Sequence, residues 1–376
     1  MKELQEILKA YETIQQAQGK AMLATIVKVK GSTYRRPGAR MLIREDGTSV
    51  GALSSGCLEA DVIERAKKVM GSGDALTVTY DMTSPEDDVW GLNLGCNGVI
   101  QILLEPLPLS ARSPHLKFIA TCLSENKSGV IASVSRVDGE FRARVGSHLF
   151  LSEDGRVEED IRNPALCAAL TEDCLNALRS KTSGVKEYRF TEGIVEAFVE
   201  IIRPPIPLII FGAGADAIPL ARFADELGWD VTVVDHRPAF LTRDRFPTAD
   251  TLLSARPEDI TGKLPLRPNA AAVILTHNFS DDLQLVRTLL PSPVMYIGLL
   301  GPSKRAGMLL EKLRETGYSP TAQQLDRLHG PIGLNIGAES PEEIALSILG
   351  EIHACISGRN GGFLRDHSGP IHGSDQ

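Results

Sequence analysis

The chain is expected to be an α/β protein. A C-terminal Rossmann-type, doubly wound parallel sheet follows an N-terminal α+β region that reads as a tandem duplication. Three observations carry this expectation. In the last block, residues 204–376, short apolar runs alternate with amphipathic stretches, as they do when helices cover both faces of a parallel sheet. One of these runs, "PLIIF", leads directly into "GAGADA". Residues 1–203 give the same series of elements twice, each copy ending in a strand closed by prolines.

Those prolines set the boundaries. "EPLPLSARSP" at 105–114 and "RPPIP" at 203–207 lack donors and fix φ, so they end elements and mark joints. The blocks are 1–105, 106–203 and 204–376. Block one predicts a helix over 2–17, strands at "AMLATIVKV" and "ARMLIREDG", a helix at "LEADVIERAKKVM", and strands at "ALTVTYDM" and "GVIQILLEPLP". Block two predicts a helix near "LKFIATCLSE", strands at "GVIASVSRV" and "SHLFLSEDG", a helix at "PALCAALTEDCLNALRS", and strands at "VKEYRF" and "IVEAFVEIIRPP". The "REDG" and "SEDG" turns fall at matching points. In block three a helix over 341–357 has Ser340 as N-cap, Pro341 at N1 and Glu342 and Glu343 in its first turn.

Composition narrows the function classes. Of 376 residues, 40 are Lys or Arg and 48 are Asp or Glu, giving a net charge of −8. This acidic balance argues against a nucleic-acid or anionic-membrane partner. No apolar run approaches the roughly 20 residues that cross a bilayer, and the N-terminus lacks the pattern of a signal peptide. The six cysteines are scattered with no CxxC pair, which reads as free thiols in a reducing cytoplasm.

The chemistry-bearing motifs fall in two places. Gly212, Gly214 and Ala217 form GxGxxA after an apolar strand, and Asp235 ends the next strand. This is the spacing of a dinucleotide fingerprint: glycines for the tight turn, a helix N-terminus for a pyrophosphate, and an acid for a ribose hydroxyl. Asp216 stands where the phosphate would lie and would repel it, so the crevice has a second reading in which it binds another ligand or none. Arg237 is a phosphate contact or a surface charge. His277, in "LTHNFSDD" with Asp281 and Asp282, ends a strand where open α/β sheets place their sites, as an acid/base, a metal ligand or a structural residue.

The second place is block one. Cys57 in "SSGC" and Cys96 in "LGCNG" sit in glycine-flanked turns, and "GSTYRRPG" adds Arg35 and Arg36. A thiol at a helix start is either a small packed hydrophobe or a thiolate suited to a soft metal or to sulfur chemistry. Block two has only the plain "RVDGEFRAR" and "RNPALC" at the corresponding points, which favours a site in block one. Cys122, Cys167, Cys174 and Cys355 lie on predicted helices among apolar neighbours and read as core.

Together "GSTYRRPGARMLI", "GALSSGCLEADV", "LGCNGVIQILLEP", "FGAGADAIPLARFADELGWDVTVVDHRPAF", "YIGLLGPSKRAGMLL" and "PIGLNIGAESPEEIALSILGEIHA" resemble the xanthine dehydrogenase accessory protein family, of the XdhC/CoxI type. The resemblance implies a chaperone that binds molybdenum cofactor (molybdopterin), assists its sulfuration by a cysteine desulfurase, and inserts it into an apo molybdenum hydroxylase. It also implies that Cys57 and Cys96 hold the cofactor's molybdenum and that Arg35 and Arg36 bind its phosphate. Relatives commonly carry His and Gly after "GAG", where this chain has Ala215, Asp216 and Ala217; that departure bears on nucleotide binding and not on the fold. Two other readings stand beside this one. The first is an NAD(P)-dependent oxidoreductase using Gly212, Gly214 and Asp235, with His277 as acid/base. The second is a non-catalytic docking scaffold. A homodimer is the default expectation.

Overall fold

The computed structural model describes every residue except 32, 83–97, 109–112, 140–141 and 369–376. The chain forms two compact units, one of residues 3–204 and one of residues 205–376 with the first two residues.

The first unit holds two five-stranded antiparallel sheets of the same design. The first half runs α1 (Lys2–Gln16), β1 (Ala21–Gly31), β2 (Arg40–Arg44), β3 (Ser49–Gly51), α2 (Glu59–Val69), β4 (Leu76–Asp81) and β5 (Gly98–Leu107). The second runs α3 (Pro114–Ser124), β6 (Gly129–Gly139), β7 (His148–Ser152), β8 (Val157–Glu159), α4 (Pro164–Ser180), β9 (Gly184–Phe190) and β10 (Gly193–Ile202). The sheet orders are β3-β2-β1-β5-β4 and β8-β7-β6-β10-β9. Even the irregularities repeat. The β1–β5 ladder skips Val27 and the β6–β10 ladder skips Ser135, each at the seventh residue of its strand. The "REDG" and "SEDG" turns close the two short hairpins, with Gly47 and Gly155 both at φ 88°, a conformation natural only to glycine.

Alternation along the strands divides each sheet between two cores. Met22, Ala24 and Ile26 of β1 pack with Met41, Ile43, Ile102 and Leu104 under Val62 and Ala66 of α2. Ala21 and Leu23 point the other way, into a core built from Ile7, Tyr11 and Ile14 of α1, Leu116 and Ile119 of α3, and Ile131, Phe150 and Ile202 of the second sheet. The remaining face of the second sheet is covered by Leu166, Leu170, Cys174 and Ala177 of α4. The middle core therefore belongs to both halves at once.

The second unit is a parallel sheet with the order β13-β12-β11-β14-β15-β16. It is built from β11 (Pro207–Phe211), α5 (Ala217–Glu226), β12 (Asp230–Asp235), β13 (Thr251–Ser254), α6 (Ile260–Lys263), β14 (Ala271–Ile274), α7 (Phe279–Leu289), β15 (Tyr296–Leu299), α8 (Ser303–Glu315), α9 (Ala322–Leu325), β16 (Leu328–His329) and α10 (Pro341–Ile356). All its ladders are parallel, and the chain reverses its direction of winding at β11/β14, the switch point of the doubly wound fold. Leu208 and Ile210 pack under α5 and α10, while Ile209 and Phe211 face α7 and α8. Ser340 caps α10 through a capping box with Glu343, as its sequence signature predicts.

Because Leu23 of the first sheet and Phe150 of the second line one core, Leu23→Ala and Phe150→Ala should each cost about 2–5 kcal/mol and lower the same calorimetric transition. Two transitions for residues 3–204, with only one shifted by each variant, would contradict the shared core.

Candidate functional site

Two described loops of the first half leave its sheet at one end. β1 ends at Gly31 opposite Gly98, the start of β5, and β3 ends at Gly51 opposite Met41. Residues 33–39, with Arg35 and Arg36, and residues 52–58, with Cys57, leave the sheet at that end. Cys96 lies outside the described residues, so the pairing of the two thiols lies outside them as well.

The Cys57 turn is held by its own side chains. Ser54 Oγ accepts from the backbone N–H groups of Gly56, Cys57 and Leu58 at 3.1–3.2 Å. Glu59 in turn accepts from the N–H of Leu53 at 3.1 Å and of Ser54 at 2.7 Å, and from the Ser54 hydroxyl. Burial works to raise the Glu59 carboxyl, but these hydrogen bonds outweigh it and hold it below its ordinary range. Gly56 takes φ 110°. The result is a fixed turn that carries a free, half-buried thiol at the entrance to α2.

The arginine loop is anchored at its base, where Ile26 and Ala39 pair at 2.9 Å and Gly38 donates to Ile26 at 2.8 Å. Arg35 donates to Glu3 at 2.7 Å. Arg36 and Tyr34 are exposed.

In the second unit the nucleotide-fingerprint residues come together, but the acid is already engaged. Gly212 has φ 105°, and a Cβ there would lie 2.6 Å from the Leu275 carbonyl oxygen; Gly214 borders open space. Asp235 is buried. Its Oδ2 accepts from Ala213 N and Arg237 Nη2, and its Oδ1 from Arg237 N and Nε, at 2.8–3.0 Å. Burial alone would raise its carboxyl; Arg237 and the backbone donors hold it down at about 2. Any ribose hydroxyl must compete with four protein donors. Arg237 also lies over the Phe240 ring, 4.3 Å from its centroid.

His277 stands 3.2 Å from Asp216, a pairing that strand-end position alone does not reveal. Its φ of 58° is a costly conformation for a non-glycine residue, and the next residue, Asn278, caps α7. Asp282 is absorbed by Arg305 and Thr276. The crevice over Gly212, Asp235, Arg237, Thr276, Asn278 and Asp281 measures about 170 Å³, below the roughly 300–1,000 Å³ of ordinary ligand pockets.

Fold and loops together define a protein in which a twice-repeated α+β unit with a thiol-bearing turn is joined to a Rossmann unit whose crevice is small. The XdhC and CoxI family pattern matches residues 14–81 and again 122–189, and the XdhC Rossmann domain matches residues 208–352. The chain belongs to the XdhC and CoxI family. It is 37% identical over 338 residues to a probable xanthine dehydrogenase subunit of Bacillus subtilis, covering 89% of this chain and 93% of that protein. It is 25% identical over 343 residues to the molybdenum cofactor insertion chaperone PaoD of Escherichia coli, covering 91% and 85%. A crystal structure of a Bacillus halodurans protein described as a xanthine dehydrogenase superposes with a TM-score of 0.75 at 34% identity, covering 94% of this chain and 96% of that one.

Asp235 gives a test with a definite sign. Its folded pKa of about 2 lies below the ordinary value of about 3.9, so the ion pair contributes fully above pH ~4 and fades as pH falls toward 2. Asp235→Asn should cost on the order of 2 kcal/mol at pH 7 in urea unfolding, with the gap to wild type closing below pH ~4. A gap that stays constant between pH 7 and pH 3 would contradict the assignment.

Proposed function

We propose that this protein is an accessory factor that binds molybdenum cofactor, assists its sulfuration and inserts it into a molybdenum hydroxylase of the xanthine dehydrogenase type. The observation that carries the reading is the likeness, over nine tenths of the chain, to a molybdenum cofactor insertion chaperone. The cofactor is cargo here. Cys57 is free and half-buried in a turn fixed by Ser54 and Glu59, and it emerges at the same end of the sheet as the arginine loop. A soft thiolate suits the molybdenum–dithiolene centre, and guanidinium groups suit the pterin's phosphate.

In this reading Cys57 and Cys96 hold the molybdenum end and Arg35 and Arg36 the phosphate end. A cysteine desulfurase supplies the sulfur and the apo-hydroxylase receives the product. The protein works in the cytoplasm, as a homodimer, and acts as a carrier more than as a catalyst. None of its helices is long and apolar enough to cross a membrane among the described residues.

The oxidoreductase reading gains little from the second unit. Both oxygens of Asp235 are occupied, and the Asp216 carboxylate lies at the start of α5, where a pyrophosphate would sit. Gly212, Gly214 and Asp235 shape the turn under that crevice whatever ligand it takes.

The protein purified from cells that make the cofactor should carry molybdenum and yield the fluorescence of oxidised pterin. Cys57→Ser with Cys96→Ser should bring both signals to background while the fold persists. Full retention in the double variant would overturn the thiol assignment. Saturable NAD(P)H binding abolished by Asp235→Ala would favour the oxidoreductase.

A further inference from the structure

The seam between the two sheets carries a second cluster, and the repeat shows how unusual it is. Arg40 opens β2 as His148 opens β7. Glu105 and Glu200 each stand third from the end of β5 and β10. At these matched places each half sends a basic residue across the seam to the carboxylate of the other; Lys28 and Glu196 form a further crossing.

The two matched crossings are completed differently. Arg40 answers Glu200 fully: Nη1 donates to Oε1 at 2.8 Å, Nη2 donates to Oε2, and Nη1 also donates to the Gly38 carbonyl at 2.8 Å. At the second crossing the arginine is replaced by the shorter His148, whose Nε2 lies 3.0 Å from Glu105 Oε1. A second imidazole, His115 from the first turn of α3, brings Nδ1 to 3.6 Å from Glu105 Oε2. All three residues are at most 7% exposed. His148 Nε2 is at ion-pair distance from Glu105 Oε1, whereas Glu105 Oε2 and His115 Nδ1 face each other beyond hydrogen-bond reach; one ligand atom from each of the three residues lies within 4.8 Å of the others.

Buried polar atoms that face one another without bonding are costly. Here they form two imidazoles and one carboxylate with little spare room, beside a cavity of about 390 Å³ lined in part by Arg144, Ser147 and Asp160. We propose that Glu105, His115 and His148 form a binding site for one first-row divalent cation, with Zn²⁺ the best match to the donor set. Nitrogen donors select this class over Mg²⁺ and Ca²⁺, which prefer oxygen shells. Three protein ligands leave a fourth position on the cavity side.

Nearby charge permits the cation. Arg40 approaches Nε2 of His115 at 3.2 Å, and its charge is matched by Glu200. With Nδ1 turned to the metal, His115 keeps its single ring proton on Nε2, so cation binding moves that proton from Nδ1 to Nε2 and the Arg40 N–H turns away from the ring. Asp160, whose carboxylate accepts from the His148 backbone N–H at 2.7 Å, adds negative charge on the other side. The site needs no cofactor and stands apart from the Cys57 turn.

The test uses untagged full-length protein, loaded with Zn²⁺, passed into metal-free buffer and assayed by mass spectrometry, with Co²⁺ as a spectroscopic substitute. About one equivalent of Zn²⁺ should remain, and Co²⁺ should give the visible bands of a nitrogen–oxygen site without thiolate charge transfer. Glu105→Gln and His148→Gln, checked for folding by circular dichroism, should fall to background. Wild-type protein with background Zn²⁺ and no Co²⁺ bands would overturn the proposal. So would thiolate bands, or folded variants that keep full metal. The wild-type spectrum decides the matter even if a variant fails to fold.

Discussion

Carboxylates are enclosed at the seam between the antiparallel sheets, Glu105 and Glu200 at matching places and Glu196 met by Lys28, and the first unit meets the charge of each. Removing a carboxylate from water is tolerable only if partners restore what hydration supplied. Glu200 is met by Arg40 across the seam. Burial works to lower the Arg40 guanidinium, yet Glu200 outweighs it and leaves it above its ordinary value. Glu105 is met by two imidazoles. Burial pushes its carboxyl up, but His148 and His115 hold it well below the usual carboxylate range. Burial lowers His115 against the pull of Glu105, with His148 and Arg40 adding to the fall, while Glu105 outweighs burial at His148 and raises it. Around these groups Leu23, Leu42, Ile131 and Phe150 close a core to which both halves contribute.

That shared frame frees the rest of each half to diverge. With the strands fixed by pairing and by alternation into separate cores, loops at the sheet ends can change without unfolding anything. The first half uses this freedom for the Ser54–Glu59 turn and the arginine loop. The second keeps the scaffold and places its histidines at the seam. One architecture thus supports a thiol-bearing loop end in one copy and a buried nitrogen–oxygen cluster at the seam between the two.

Much of this was legible from residues. The duplicated order of elements, the Rossmann run ending in "GAGADA" and the Ser340 cap all follow from periodicity and turn chemistry, which are local. Sheet order is not local; nothing in "AMLATIVKV" announces that β1 sits between β2 and β5. The seam cluster was invisible for the same reason: Glu105, His115 and His148 come from β5, α3 and β7 and meet only through tertiary packing. The signal that could have found them was the repeat itself, since aligning the copies sets His148 against Arg40 and Glu105 against Glu200. At Asp235 spacing places an acid at the end of β12, but whether its oxygens face a ligand or Arg237 depends on a side-chain choice that spacing does not encode. Cys57 was legible as a turn residue; its half-buried, hydrogen-bonded setting needed Ser54 and Glu59 in place.

Two equivalent crossings of one seam are completed in different ways, one by an ion pair and one by a metal. Anomalous diffraction from crystals grown with Zn²⁺, recorded on both sides of the zinc edge, reads this directly. One peak between Glu105, His115 and His148, with none between Arg40 and Glu200, is the predicted result. A map empty at the histidine crossing would contradict it.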